Sequence, residues 1–72
     1  MSLTEQYRKE AIPIIQTAII ECRNEPDDLK QQQHISAKFP WHKTNLIAHR
    51  VWAKEVERLR HHFYKHKSFK DV

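Results

Sequence analysis

Three observations in the sequence predict an all-α fold: a small helical hairpin or three-helix domain, with two long antiparallel helices and a short middle segment. The 72 residues include no glycine. Tight primed hairpin turns depend on glycine for positive φ, so a meander of short strands is disfavoured. Apolar residues recur at helical spacing through two long stretches. The breaks between them are built from Asn, Asp, Ser, Thr and Pro, which cap helices and turn chains. A chain of this length forms one domain and buries only about 60% of its unfolded surface, so its core is small.

The first helix spans residues 3–23. Leu3, Tyr7, Ala11, Ile14, Ala18 and Cys22 recur at intervals of three and four, as one face of a helix requires. Ile15 and Ile19 widen this stripe, and Ile12 and Ile20 add apolar surface elsewhere. Ser2 followed by Glu5 fits a capping box. Pro13 removes a backbone hydrogen bond and crowds the carbonyl four residues back, at ~3 kcal/mol in a helix interior. Either the helix kinks there or it ends near Ile12 and restarts; the unbroken stripe favours the kink.

The run Asn24 to Asp28 is the clearest break, because Asn accepts the left-handed conformation and Pro26 stops a helix. Asp27 or Asp28 caps a short second helix through about His34, weakly specified because Leu29 is its one apolar residue. Ile35 to Lys43 reads as a structured loop in which Phe39 and Trp41 flank Pro40, with Ser36 placed to cap a brief turn. Thr44 or Asn45 caps the last helix, which runs from about Asn45 to about His66. Its stripe is Ala48, Trp52, Val56, Leu59 and Phe63, flanked by Ile47 and Val51. Such a helix is ~33 Å long, against a diameter of ~29 Å for a globule of this size. The last turns are therefore expected to overhang a single domain over 1–67, and the tail at 68–72 to fray. The expected core is Ile14, Ile15, Ala18, Ile19, Trp52, Val56, Leu59 and Phe63.

The formal charge of +4 is unevenly divided. Residues 1–36 hold four Lys and Arg against six Asp and Glu; residues 37–72 hold nine against three, with five of the six histidines. Such a chain either folds its acidic half onto its basic half or presents the basic half to an anionic partner. On the last helix Arg50, Lys54, Arg58, His61 and Lys65 follow helical spacing, offset from the apolar stripe. Like charges one turn apart repel by a few tenths of a kcal/mol per pair, partly offset by Glu55 and Glu57. A solvated helix face accounts for this stripe, and so does phosphate contact with counterion release. The candidate partner- or phosphate-binding residues are Lys38, Lys43, Arg50, Lys54, Arg58, Arg60 and Lys65. Phe39 and Trp41 are candidate aromatic anchors, for a protein hot spot or for base stacking.

Other chemistry finds little support. Without glycine there is no P-loop, dinucleotide fingerprint or nucleophile elbow. Cys22, the single cysteine, lies on the apolar stripe and reads as a small buried hydrophobe; unable to pair internally, it fits a reducing compartment. Glu55 and Glu57, two apart on a helix, point in different directions and cannot act together as acid and base. His62 and His66 offer two metal ligands without a third, and Cys22, His34, His42 and His49 match no known ligand spacing. The sequence thus points to no enzyme, no metal site and no cofactor. His61, His62 and His66 leave a further reading, a pH-responsive helix pair. No run approaches ~18 apolar residues, and Ser2 to Glu10 lacks the pattern of a signal peptide, so a cytoplasmic protein without a membrane partner is expected.

The segment Phe39-Pro40-Trp41-His42, followed by Ala48-His49-Arg50-Val51-Trp52-Ala53-Lys54-Glu55-Val56, resembles small bacteriophage and prophage proteins. These carry an aromatic-Pro loop before an (A/P)-(H/Y)-(K/R)-V-W-x-x-E-(V/I) helix. The resemblance spans residues 39–56 and implies a phage accessory protein that binds host or phage machinery. Two functions follow as expectations. One is a modulator or inhibitor that docks on a host protein of nucleic-acid metabolism, with the basic helix facing it and Phe39 and Trp41 as anchors; its cytoplasm would be the host's. The other is a module that binds DNA or RNA directly through the basic helix. Ile12, Ile20 and Ile47 leave apolar flanks that a second copy could complete, so a homodimer is a further candidate partner.

Overall fold

The computed structural model describes residues 2–70, the side chain of Trp41 excepted. It contains three α-helices, α1 (Leu3–Glu21), α2 (Asp28–Ala37) and α3 (Leu46–His66), with a 3-10 turn at Pro40–Lys43 before α3. No strand occurs among the described residues. The all-α, three-helix class expected from the sequence is the one observed.

Each helix begins where a short polar side chain can take up a free backbone N–H. Ser2 accepts from the Glu5 amide at 3.2 Å, Asp27 from Leu29 at 2.9 Å, and Asn45 from Ala48 at 3.1 Å. Pro13 lies inside a continuous α1 and does not end it. Ala11 and Ile15 on either side are fully buried, and their packing outweighs one missing hydrogen bond. The second helix runs one turn past the expected His34, to Ala37, and the loop expected over 35–43 is mostly helical, α up to Ala37 and 3-10 over Pro40–Lys43. Its buried face is Gln31 and Ile35, one turn apart. A polar member of that pair hides the period from a hydrophobicity reading.

The two long helices run in the same direction, which corrects the antiparallel expectation. At one end the Asn45 side chain donates to the Tyr7 hydroxyl at 3.0 Å. At the other, Gln31 donates to the Cys22 carbonyl at 3.2 Å and accepts from Arg60 and Tyr64. The α1 start therefore lies beside the α3 start, and the α1 end beside the α3 end. The reason is that α2 is a full element that travels back: Gln31 sits by Cys22, while Lys38 lines a hollow with Pro13, Ile14 and Thr17. Two short connections reverse the chain twice, where a hairpin with a loop in the middle reverses it once.

The core is Ala11, Ile15, Ala18 and Ile19 of α1, Ile35 of α2, Phe39, and Trp52, Leu59 and Phe63 of α3. Ile14 and Val56, both expected inside, are only partly buried against it. The end of α3 does not overhang. The molecule measures 33 × 26 × 14 Å, a slab along whose length α3 fits. Its final turns are held by α2 through Arg60 and Tyr64, and Phe63 is covered by Phe69 at a centroid distance of 5.2 Å. Lys67 makes the reversal that brings Phe69 back, in the left-handed conformation at φ 60°. Residues 71 and 72 of the expected frayed tail lie outside the described residues.

A glycine-free chain must close α1 by other means: Arg23 donates to the Ile20 carbonyl at 2.7 Å and the Glu25 amide to Cys22 at 3.0 Å, and Gln31 supplies the rest. Its amide donates to the carbonyls of Cys22 and Glu25, at 3.2 and 2.8 Å. These are acceptors beyond the helix end that a glycine-based motif would otherwise help to satisfy.

Candidate nucleic-acid interface

The structure distributes the seven candidate cations over several faces. Lys38 pairs with Glu21 at 3.2 Å on the α1–α2 side. Arg60 is drawn between α2 and α3, where it pairs with Asp28 and donates to Gln31 at 3.0 Å. Both are neutralised across the boundary between the acidic and basic halves. Lys43 is exposed on the 3-10 turn and Lys65 on the last turn of α3. That leaves Arg50, Lys54 and Arg58, which follow one another at single-turn intervals on the exposed side of the α1–α3 seam.

Two adjoining hollows run along this seam. The first, of about 270 Å³, is lined by Thr4, Ile47, Arg50, Val51 and Lys54. The second, also about 270 Å³, shares Thr4, Val51 and Lys54 and adds Glu5, Arg8, Glu55 and Arg58. Arg8 comes from the acidic half and was not among the expected binding residues; only its place on α1 in three dimensions puts it there. Four cations against two carboxylates make the seam net positive. Among the described residues no ion pair involves Arg50 or Lys54.

Beneath the seam lies Glu55, a buried carboxylate with a side chain only 5% exposed. One oxygen meets Arg8 Nε at 3.2 Å, and the other meets Arg58 Nε and a terminal nitrogen at 2.8 and 2.6 Å. Glu55 therefore offsets the stripe at Arg58 alone and from inside, where a charge must be fully paired, and among the described residues it makes no ion pair with Arg50 or Lys54.

Phe39 is not an exposed anchor. It is buried and packs edge-on against Trp52 at 5.3 Å, because the 3-10 turn folds the aromatic segment back onto α3. The side chain of Trp41 lies outside the described residues. His42, absent from the expected core, is buried in the same corner. Its ring stacks on Trp52 at 5.0 Å and on His49 at 5.7 Å. Nε2 meets the Ser36 hydroxyl at 3.1 Å, while Nδ1 is buried without a partner among the described residues. Burial lowers the pKa of His42, with help from the nearby His49 and Lys43.

Elsewhere electrostatics serve structure. Glu21 is held below its ordinary pKa by hydrogen bonds from His34 and Lys38, and Asp28 by bonds from Arg60 and Gln32. Burial raises the Cys22 thiol, whose hydrogen points to the Ile19 carbonyl; such a thiol is a poor nucleophile. The rings of His62 and His66 lie 4.5 Å apart, but no group of three His, Cys, Asp or Glu suited to a metal forms among the described residues. Among the described residues no helix is long and apolar enough to cross a membrane. No protein family, curated protein or solved structure matches the chain.

Proposed function

We propose that the protein is a non-enzymatic binding protein that holds nucleic acid along the α1–α3 seam, through Arg50, Lys54 and Arg58. The observation that carries this is the sorting of the cations. Lys38 and Arg60 are neutralised within the fold, whereas Arg50 and Lys54 stand on one seam beside Arg58, free of carboxylate partners among the described residues. Successive cations on a helix lie about 6 Å apart, a row suited to a phosphate backbone rather than to a single small anion. Contacts of this kind position a nucleic acid without reading its sequence.

The test is fluorescence anisotropy with a labelled 20-base duplex and the matching single strand, over a range of salt concentrations. Affinity should fall linearly on a log–log plot, and Arg50→Gln should reduce the slope by about one. Absence of binding to either probe at low salt refutes the reading.

One observation favours a second reading, a phage-type modulator that docks on a host protein of nucleic-acid metabolism. Leu46 and Ile47 are 65% and 44% exposed next to Arg50, and mixed apolar and cationic surface is common at protein interfaces. Under that reading Ile47→Asp abolishes capture of the host protein and leaves DNA affinity within a few-fold of the parent.

A further inference from the structure

The structure assigns a phosphate seat within the proposed nucleic-acid face: Arg8, Lys54 and Arg58 around the second seam hollow, with Glu55 as the bracket that aims the two arginines. This rests on the nucleic-acid reading and gives it one defined contact, with a backbone phosphodiester as ligand.

The argument begins with the position of Glu55. The buried side of α3 passes through Ala48, Trp52, Glu55, Leu59 and Phe63, so a carboxylate occupies a core position that an apolar residue would fill more simply. Pairing both oxygens makes that burial tolerable, yet a buried ion pair is weak support for stability compared with apolar packing. What the pairing achieves is geometric. A guanidinium has five N–H donors in a rigid fork. Glu55 engages Nε of Arg8, and Nε and one terminal nitrogen of Arg58, so each fork keeps donors to offer elsewhere. Both arginines remain roughly half exposed, at 46% and 40%. With Lys54 they line the same hollow of about 270 Å³, large enough for a phosphate group.

Two forks fixed in advance lose less rotamer freedom when they bind, which is the general advantage of preorganisation. Arginine forks also match phosphate oxygens in bidentate fashion, which a free lysine does not. Glu5 is the other carboxylate lining the hollow, 3.7 Å from Arg8 and half exposed. It holds Arg8 only loosely, so an incoming phosphate can displace it.

The test uses the full chain, a 12-base single-stranded DNA and inorganic phosphate, with binding followed by anisotropy and by backbone amide shifts. Arg8→Gln should weaken DNA binding about tenfold, the loss of a charge-assisted bond. Lys9→Gln makes the same charge change on the same helix but outside the hollow, and should cost no more than about twofold. Glu55→Gln gives the sharper sign. Removing a negative charge should tighten DNA binding if only net charge matters, whereas loss of the bracket weakens it. Inorganic phosphate should shift the amides around residues 8 and 54–58 in the parent and not in Arg8→Gln. Equal effects of Arg8→Gln and Lys9→Gln, or tighter binding by Glu55→Gln, overturn the seat and leave the broader reading standing. If Glu55→Gln fails to fold, the comparison of Arg8→Gln with Lys9→Gln decides alone. No binding of either probe by the parent chain overturns both.

Discussion

Replacing Gln31 by alanine should destabilise the protein by about 2 kcal/mol, far more than a glutamine on a short surface helix ordinarily contributes. Gln31 is 6% exposed and makes four hydrogen bonds: two donated to the Cys22 and Glu25 carbonyls, two accepted from Arg60 and Tyr64. At about 1 kcal/mol each the sum approaches ~4 kcal/mol. Water can replace part of it. Cys22 and Glu25 are only partly buried, Tyr64 is 39% exposed and can turn its hydroxyl outward, and Arg60 keeps Asp28. Discounting for these leaves about half, ~2 kcal/mol, from the Glu25 carbonyl that loses its donor, the Cys22 carbonyl that keeps the Glu25 amide at 3.0 Å, and the slackened contact between α2 and α3. A domain of this size has a total of roughly 4–11 kcal/mol, so the midpoint should fall by about 8–16 °C. The assay is thermal and urea unfolding followed by circular dichroism, with Gln32→Ala as control. Gln32 is exposed and among the described residues bonds to Asp28 within α2, so its loss should cost no more than about 0.5 kcal/mol. Equal midpoints for the two variants would refute the claim that Gln31 closes α1 in place of a glycine.

Two further predictions follow from single positions. His42 has its pKa lowered by burial, so the unfolded chain binds its proton more readily than the folded one. Stability is then full above the ordinary histidine range and declines as pH drops through it; His42→Phe, which keeps the stack on Trp52, should flatten that part of the pH–stability curve, and an unchanged slope assigns the effect to other groups. Lys67 holds φ 60° without being glycine, a conformation costing about 1 kcal/mol or more for a residue with a Cβ, so Lys67→Gly should stabilise the protein by about 0.5–1 kcal/mol in the same urea assay, and a loss of stability would refute the strain.

The helices were legible because their starts are written in short-range chemistry. Ser2, Asp27 and Asn45 each accept from an amide two or three residues ahead, and such signals survive any tertiary arrangement. What was not legible depends on polar residues placed inside. On α3 the apolar sequence draws the stripe through Val56, while the fold draws it through Glu55. The two paths differ by one residue, about 100° around the helix. Choosing hydrophobic residues alone puts Val56 inside and hides the buried carboxylate. The same bias cut α2 short at His34, since Gln31 and Ile35 look like an isolated pair only when Gln31 is counted as surface. With α2 cut to a short segment that covers one end, the chain has one reversal and the long helices come out antiparallel. One misread glutamine thus reversed the sense of α3 against α1.

That reversal bears on the candidate site. In an antiparallel pair the α1 start would lie beside the α3 end, and Arg8 would face the region of His62 and His66. In the parallel arrangement Arg8 meets Glu55 at 3.2 Å and joins Lys54 and Arg58. Net charge by sequence halves therefore hides where the individual charges fall. The acidic half does neutralise part of the basic half, through Glu21 on Lys38 and Asp28 on Arg60. It also contributes a cation to the seam, and the basic half supplies the buried acid that holds it. A patch built in this way belongs to the tertiary fold. Mutations that loosen α2, such as Gln31→Ala, should accordingly leave the seam's affinity unchanged while the protein stays folded, since Arg8, Glu55 and Arg58 are joined directly between α1 and α3.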